Sequence, residues 1–404
     1  MSSRIDAVGR RLLTAGLERL TGGTLTLVEA GIERRFGDGL PDAAGRAPIA
    51  ATVTVHDPRT WGRVLRETST GLGLSYADGW WEADDLTAFL RLLSRNVRRA
   101  DALLQPLSRI TGKFADPIRR RRSPDRIRDR RNIRAHYDIG DDVFALFLDE
   151  SRMYSCAIFQ TPETTLAQAQ RAKLERICTQ LELGPDDHLL EIGTGWGGLA
   201  VHAAREHGCR VTTTTISDRQ FAYATELVAR EGLADRITVL HEHYRDLTGT
   251  YDRLVSVEMI EAVDWREYDD FLGACGRLVR PGGRMVLQAI TIPEQRFDRA
   301  KVTQDFIKEV IFPGGCLPST EAILHATGRT GDLLLVDLHD IGLDYAQTLR
   351  IWRTALLERS SELPALGLGD HFARTFEFYF RYCEAGFDER VISDVQLTFE
   401  RPGG

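Results

Sequence analysis

The 404-residue chain is poor in sulfur and has no long apolar run. Its six cysteines (Cys156, Cys178, Cys209, Cys275, Cys316 and Cys383) are scattered without C-x-x-C spacing. Neither a zinc site nor a disulfide framework is expected from them, and no metal is expected elsewhere. Reduced thiols in a cytoplasmic protein fit this scatter. No stretch approaches the roughly 18–20 uninterrupted apolar residues of a membrane-spanning helix. Met1–Arg10 lacks the basic start and apolar core of a secretory signal, so any meeting with a membrane is expected at its inner, cytoplasmic surface. A basic excess is also missing. The 59 Asp and Glu outnumber the 52 Lys and Arg, for a formal net charge of −7, which argues against a protein that wraps nucleic acid.

What is present is an ordinary globular composition, 43% hydrophobic and 27% charged, in a chain long enough for two or three domains. Residues 1–112 combine an amphipathic helix over Ile5–Leu20, strand-like runs at Thr24–Ala30 and Ile49–Val55, and the Trp-rich segment Gly71–Trp81. They predict a small α+β domain. Residues 113–131 hold nine basic residues, Arg119–Arg122 among them, against three acidic ones. This segment is expected to be a solvated linker suited to an anionic membrane surface. Residues 132–404 change pattern. Strand candidates Leu189–Ile192, Val211–Thr215, Thr238–His241, Leu254–Val257 and Arg284–Ile290 alternate with helix candidates Leu199–Glu206, Gln220–Glu231 and Trp265–Leu278. Two late strands, Leu333–Leu338 and Asp394–Phe399, flank helical stretches at Thr348–Leu357 and Arg374–Ala385. Right-handed βαβ units and a parallel sheet follow. The fold class expected is α/β, a Rossmann-like methyltransferase domain preceded by the smaller α+β domain.

The first strand of that sheet ends in Leu190-Glu-Ile-Gly-Thr-Gly-Trp-Gly-Gly198. Glycines at 193, 195 and 197 let the chain turn tightly and bring its backbone close to a ligand. The G-x-G-x-G spacing, with Glu191 in the strand and Thr194 in the turn, favours S-adenosylmethionine over a dinucleotide. The second strand ends at Thr215 with Gln220 following, where a ribose is expected. The third ends in His241-Glu-His-Tyr-Arg-Asp246, which offers Tyr244 as a ring beside an adenine.

Six motifs resemble the cyclopropane fatty-acid synthases, which methylate double bonds of lipid acyl chains. They are Ala135–Asp142, Met153–Phe159, Glu191–Gly198, Tyr244–Asp246, Val257–Ala262 and Ile311–Ser319. The resemblance covers roughly residues 70–400, and Gly71–Trp81 is similar to the longer, phospholipid-directed members. It implies that Tyr137, Tyr154 and Ser155 lie near the cofactor and the acyl tunnel, with Phe159 and Phe312 contributing to the tunnel. It also implies a bound bicarbonate acting as general base, beside Cys156, fixed by Glu261, contacted by the Ile290 backbone and hydrogen-bonded by Tyr345. Three departures stand out. Ala262 and Gln288 replace histidines found in many members, and Glu258 stands where several have glycine, in a role left open. Gln288 can donate to an anion but cannot titrate.

Methyl transfer to an alkene leaves a carbocation, so an apolar, aromatic pocket is expected, with Tyr137, Tyr154, Phe159, Tyr345 and Phe378 as candidate lining. The expected substrate is a phospholipid with an unsaturated acyl chain. Both a cyclopropane and a 10-methylene product are compatible, the latter calling for a separate flavin-dependent reductase as partner, and a homodimer is a further expectation. A small-molecule methyltransferase and a non-catalytic lipid-binding protein remain the alternatives.

Overall fold

A computed structural model describes residues 3–97 and 140–403. The basic segment 113–131, His136 and Tyr137 lie outside the described residues. The described chain forms two compact units. The sequence reading gave 132–404 to one domain, but Asp305–Ile311 and Arg353–Val391 belong with the N-terminal residues.

The first unit is built on strands β1 (Gly23–Glu29), β2 (Ile32–Phe36), β3 (Ile49–Val55) and β4 (Trp81–Ala83), in the order β2-β1-β3-β4. A Ser3–Asp6 capping box starts the helix Arg4–Leu17. The segment Gly71–Trp81 closes the helix Arg59–Ala77 and enters β4, where Trp81 is fully buried. Trp81 packs on Tyr76, Phe89 and Phe378, and Phe306 packs on Phe378 in turn. Phe378, expected in an acyl pocket, is therefore a core ring of this unit. Two late-chain carboxylates are fixed here. Glu377 accepts the Tyr76 hydroxyl at 2.9 Å, and the buried Glu389 takes Arg91 at 2.8 Å and Arg95 at 2.9 Å.

The second unit holds a seven-stranded sheet of β5 (His188–Ile192), β6 (Arg210–Thr214), β7 (Ile237–Leu240), β8 (Tyr251–Val257), β9 (Val279–Thr291), β10 (Leu334–Asp340) and β11 (Ser393–Glu400). Its order is β10-β11-β9-β8-β5-β6-β7. The five strands from β9 to β7 are parallel, and β11 is antiparallel to both β9 and β10. Leu189, Leu190, Leu254, Val255, Val286 and Leu287 are completely buried, as expected of strands covered on both faces. Each such side chain contributes roughly 1.5–3 kcal/mol. The strand order reverses between β5 and β8, and sites in open α/β sheets form at the carboxyl ends of strands at that reversal.

Candidate functional site

The cofactor turn follows β5. Gly193, Gly195 and Gly197 have φ of +105°, +53° and +87°, a region that favours glycine. The Gly193 and Thr194 amides both donate to the Thr214 carbonyl at 3.1 Å, and the Thr213 hydroxyl donates to Thr194 at 2.7 Å. A Cβ on Gly195 would project into open space, leaving a cradle in front of the turn. At the end of β6, Thr215 donates to the Gln220 side chain at 2.8 Å. Glu191 is buried on β5 with Oε2 unpartnered, and burial raises its pKa to about 8. An open cradle beside an uncompensated carboxyl fits a ligand carrying an ammonium group, such as S-adenosylmethionine. Tyr244 sits differently from its expected role. Its ring packs edge-on against Phe271 in the core and beside His243, with little surface exposed.

An aromatic wall leads away from this turn. Trp196 contacts Phe144, with ring centroids 4.9 Å apart, and Phe144 contacts Tyr154 at 5.1 Å. Tyr154 in turn meets Phe312 at 6.3 Å and Trp352 at 5.2 Å, and Trp352 meets Tyr345 edge-on at 6.1 Å. Phe159 is half-buried, its amide hydrogen-bonded to the Asp344 carboxylate. Ser155 is buried. Its hydroxyl accepts from Lys173 at 2.7 Å, and its carbonyl accepts from Gln170 at 2.9 Å. Lys173 is fully buried, which pushes its pKa down.

The catalytic candidates gather at the ends of β8, β9 and β11, but their wiring differs from the expectation. Tyr345 donates to Glu258 Oε2 at 2.6 Å, not to an ion held by Glu261. The Cys156 amide and the Gln288 side chain each donate to Glu258 Oε1 at 2.8 Å. The Cys156, Gln288 and Tyr345 donors thus converge on one carboxylate of the chain itself and the Ile290 amide goes to another, Glu261, so these residues do not fit a separate bound anion. Glu258 reaches this position through a φ of +47°, unusual outside glycine, directly after β8 ends at Val257. Strain of that kind persists where the surroundings hold it, and it is frequent at functional sites.

Glu261 follows in a short 3₁₀ turn, Ile260–Ala262, not at the start of an α-helix. Its Oε1 accepts the Ile290 amide at 2.5 Å, and its Oε2 is buried without a partner. Burial, and then the charge of Glu258, raise its pKa to about 8. The Cys156 thiol is fully buried and pushed above its usual pKa by burial and neighbouring carboxylates, so it is no nucleophile.

Behind Gln288 the network runs across the sheet. Gln288 also donates to Asp394 at 3.0 Å and accepts from Gln396 at 3.0 Å. Burial and the Glu258 charge raise the pKa of Asp394, which favours its neutral form. Sequence reasoning missed Asp394, Gln396, Lys173 and Gln170. A signal existed for the first two, since Asp394, Gln396 and Thr398 alternate with Val395, Leu397 and Phe399 on a strand buried on both faces.

Comparison with known proteins gives the chain its family. Residues 124–397 match the family described as mycolic acid cyclopropane synthetase. Tuberculostearic acid methyltransferase UfaA1 of Mycobacterium tuberculosis is 40% identical over 378 residues, covering 91% of this chain and 87% of that protein. The cyclopropane-fatty-acyl-phospholipid synthase of Escherichia coli is 37% identical over 362 residues, covering 88% and 89%. The crystal structure of mycolic acid cyclopropane synthase CmaA1 complexed with SAH and CTAB is 30% identical, with a TM-score of 0.63, and covers 67% of this chain and 98% of that one. The chain belongs to the mycolic acid cyclopropane synthetase family and is an S-adenosylmethionine-dependent methyltransferase.

Proposed function

We propose that the enzyme methylates the cis double bond of an unsaturated acyl chain in a membrane phospholipid, and that Glu258, in place of a bicarbonate ion, takes the proton that completes the reaction. When bound, S-adenosylmethionine supplies an electrophilic methyl group on a sulfonium. An isolated alkene is a weak nucleophile, so holding it in line and excluding water account for much of the acceleration. The wall from Trp196 through Tyr154, Phe312 and Trp352 to Tyr345 serves both ends. It keeps water from the acyl chain and turns π faces toward the carbocation left there.

The added methyl must then lose a proton. Three donors fix both oxygens of Glu258 in the site, while burial raises its neighbour Glu261 toward the neutral form. Glu258, held by those donors, accepts the proton. Direct proton loss closes a cyclopropane. A hydride shift before that loss leaves a 10-methylene chain, which a separate flavin-dependent reductase would convert to the methyl branch.

The phospholipid assignment draws support from coverage. UfaA1 and the E. coli phospholipid synthase match the N-terminal region as well, whereas CmaA1 covers 67% of the chain. The basic residues of 113–131 suit an anionic headgroup layer, each contributing on the order of 1 kcal/mol near such a surface. Among the described residues no helix is long and apolar enough to cross a membrane, so attachment would be peripheral.

The convergence of Cys156, Gln288 and Tyr345 on Glu258 carries the reading, and purified enzyme on vesicles of unsaturated phospholipid tests it. Acyl chains should gain one CH₂ by mass spectrometry, with ring and exo-methylene told apart by NMR. Turnover should be unchanged when bicarbonate is removed. Glu258→Gln should lower it by about 10²-fold or more, with cofactor affinity retained. A wild-type enzyme that stalls without bicarbonate would overturn the role given to Glu258, and unmodified acyl chains would overturn the reaction.

A further inference from the structure

On the helical layer of the second unit, outside the methyl-transfer site, Cys178, His202 and His207 converge, and Glu175 stands against both histidines. Glu175 and Cys178 lie three residues apart on the helix Leu166–Gln180, which places them on one face. His202 lies on the helix Gly198–Glu206, and His207 is that helix's C-cap. The Cys178 sulfur and one ring nitrogen of each histidine all fall within 4.8 Å of one another. Oε2 of Glu175 stands 3.3 Å from Nε2 of His202 and 3.3 Å from Nε2 of His207. In a tetrahedral zinc site, neighbouring ligand atoms are separated by about 3.5 Å, so small side-chain adjustments would bring Cys178, His202 and His207 into register, with the Glu175 carboxylate turning in from against the two imidazoles as the fourth ligand.

We propose that Glu175, Cys178, His202 and His207 form a site for a divalent transition metal, zinc by the mixture of sulfur, imidazole and carboxylate donors. A thiolate and a carboxylate would neutralise the dication, and two neutral imidazoles would complete a closed four-ligand set of the structural kind. Cys178 supplies its ligand from within the core, while the two histidines are nearly covered, with side-chain exposures of 9% and 17%. The helix Gly198–Glu206 starts at the cofactor turn, and the helix Leu166–Gln180 carries Lys173 and Gln170 behind Ser155. A metal here would pin these two helices together, away from the reacting groups. The cysteine spacing gave no hint of it, because the ligands come from two helices and only one of them is a cysteine.

The test is a titration of chelator-treated full-length protein with Co²⁺, followed by competition with Zn²⁺. Expected are one Co²⁺ per chain, the visible bands of a tetrahedral centre, a near-ultraviolet thiolate charge-transfer band, and loss of all of them on adding Zn²⁺. Cys178→Ser should remove the charge-transfer band, and the double variant His202→Gln, His207→Gln should abolish stoichiometric binding. Zn²⁺ should raise the melting temperature of the wild type but not of the double variant. Substoichiometric Co²⁺ in the wild type, or undiminished binding in the histidine variant, would overturn the site. If Cys178→Ser fails to fold, the histidine variant decides alone, since its side chains lie at the outer edge of the cluster.

Discussion

At Glu258 the backbone and the side chain make opposite demands, since a φ of +47° favours glycine while three donors need an oxygen acceptor. Glu258→Gly should satisfy the backbone and free the Cys156 amide, Gln288 and Tyr345 to hold a small anion. Activity should fall by about 10²-fold or more, and added formate or bicarbonate should restore part of it in assays of acyl methylation. Absence of rescue by any small carboxylate would argue that these donors do not serve a base. The neighbouring carboxyls set a pH dependence. Glu191 and Glu261 are each raised from 4.5 to about 8, so the folded protein binds more protons than the unfolded chain between those values. Their contribution to stability is therefore present below the lower value and is lost as pH rises toward the upper one. Thermal melts of cofactor-free enzyme should show that decline, and Glu261→Gln and Glu191→Gln should each flatten it. Cys156, Glu261, Gln288, Ile290 and Tyr345 were legible in the sequence as members of one site. Their connections were not, because a single side chain at position 258 redirects three hydrogen bonds. Lys173 gave no signal at all, since a lysine in an amphipathic helix reads as solvent-facing.

Among the elements, the turn after β5 separates two kinds of glycine. Gly195 faces open space at a φ of +53°, so Gly195→Val should carry backbone strain of about 1–3 kcal/mol, meet no packed neighbour and abolish S-adenosylmethionine binding by calorimetry. Gly198 is packed, and a Cβ there would lie 2.5 Å from the Ser151 carbonyl oxygen. Gly198→Ala should therefore lower the melting temperature by several degrees, an overpacking effect of about 1–3 kcal/mol. Retained S-adenosylmethionine binding in Gly195→Val, or an unchanged melting temperature in Gly198→Ala, would contradict this distinction. Strands were read well where their pattern was self-contained, and β3 has the bounds expected, Ile49–Val55. The helix Asp370–Asp388 was also visible as a helical stretch. Its membership of the first unit was not, because an amphipathic pattern announces an apolar face without saying what will cover it.

For the whole molecule, attachment to the lipid surface is the property to measure. Replacing Arg119–Arg122 with glutamine should weaken association with anionic vesicles, most at low salt where screening is least. A variant that binds vesicles as the wild type does at both low and high salt would leave that run a plain linker. The composition of the first unit has a different consequence, which concerns synthesis. Tyr76, Arg91 and Arg95 are made early, whereas their partners Glu377 and Glu389 emerge only after most of the second unit has been translated. At about 5–20 residues per second, that delay is roughly 15–60 s. During it, Trp81 and Phe89 wait on the ribosome without Phe378, and the second unit waits longer still, since its inner strand β11 is the last element to be made.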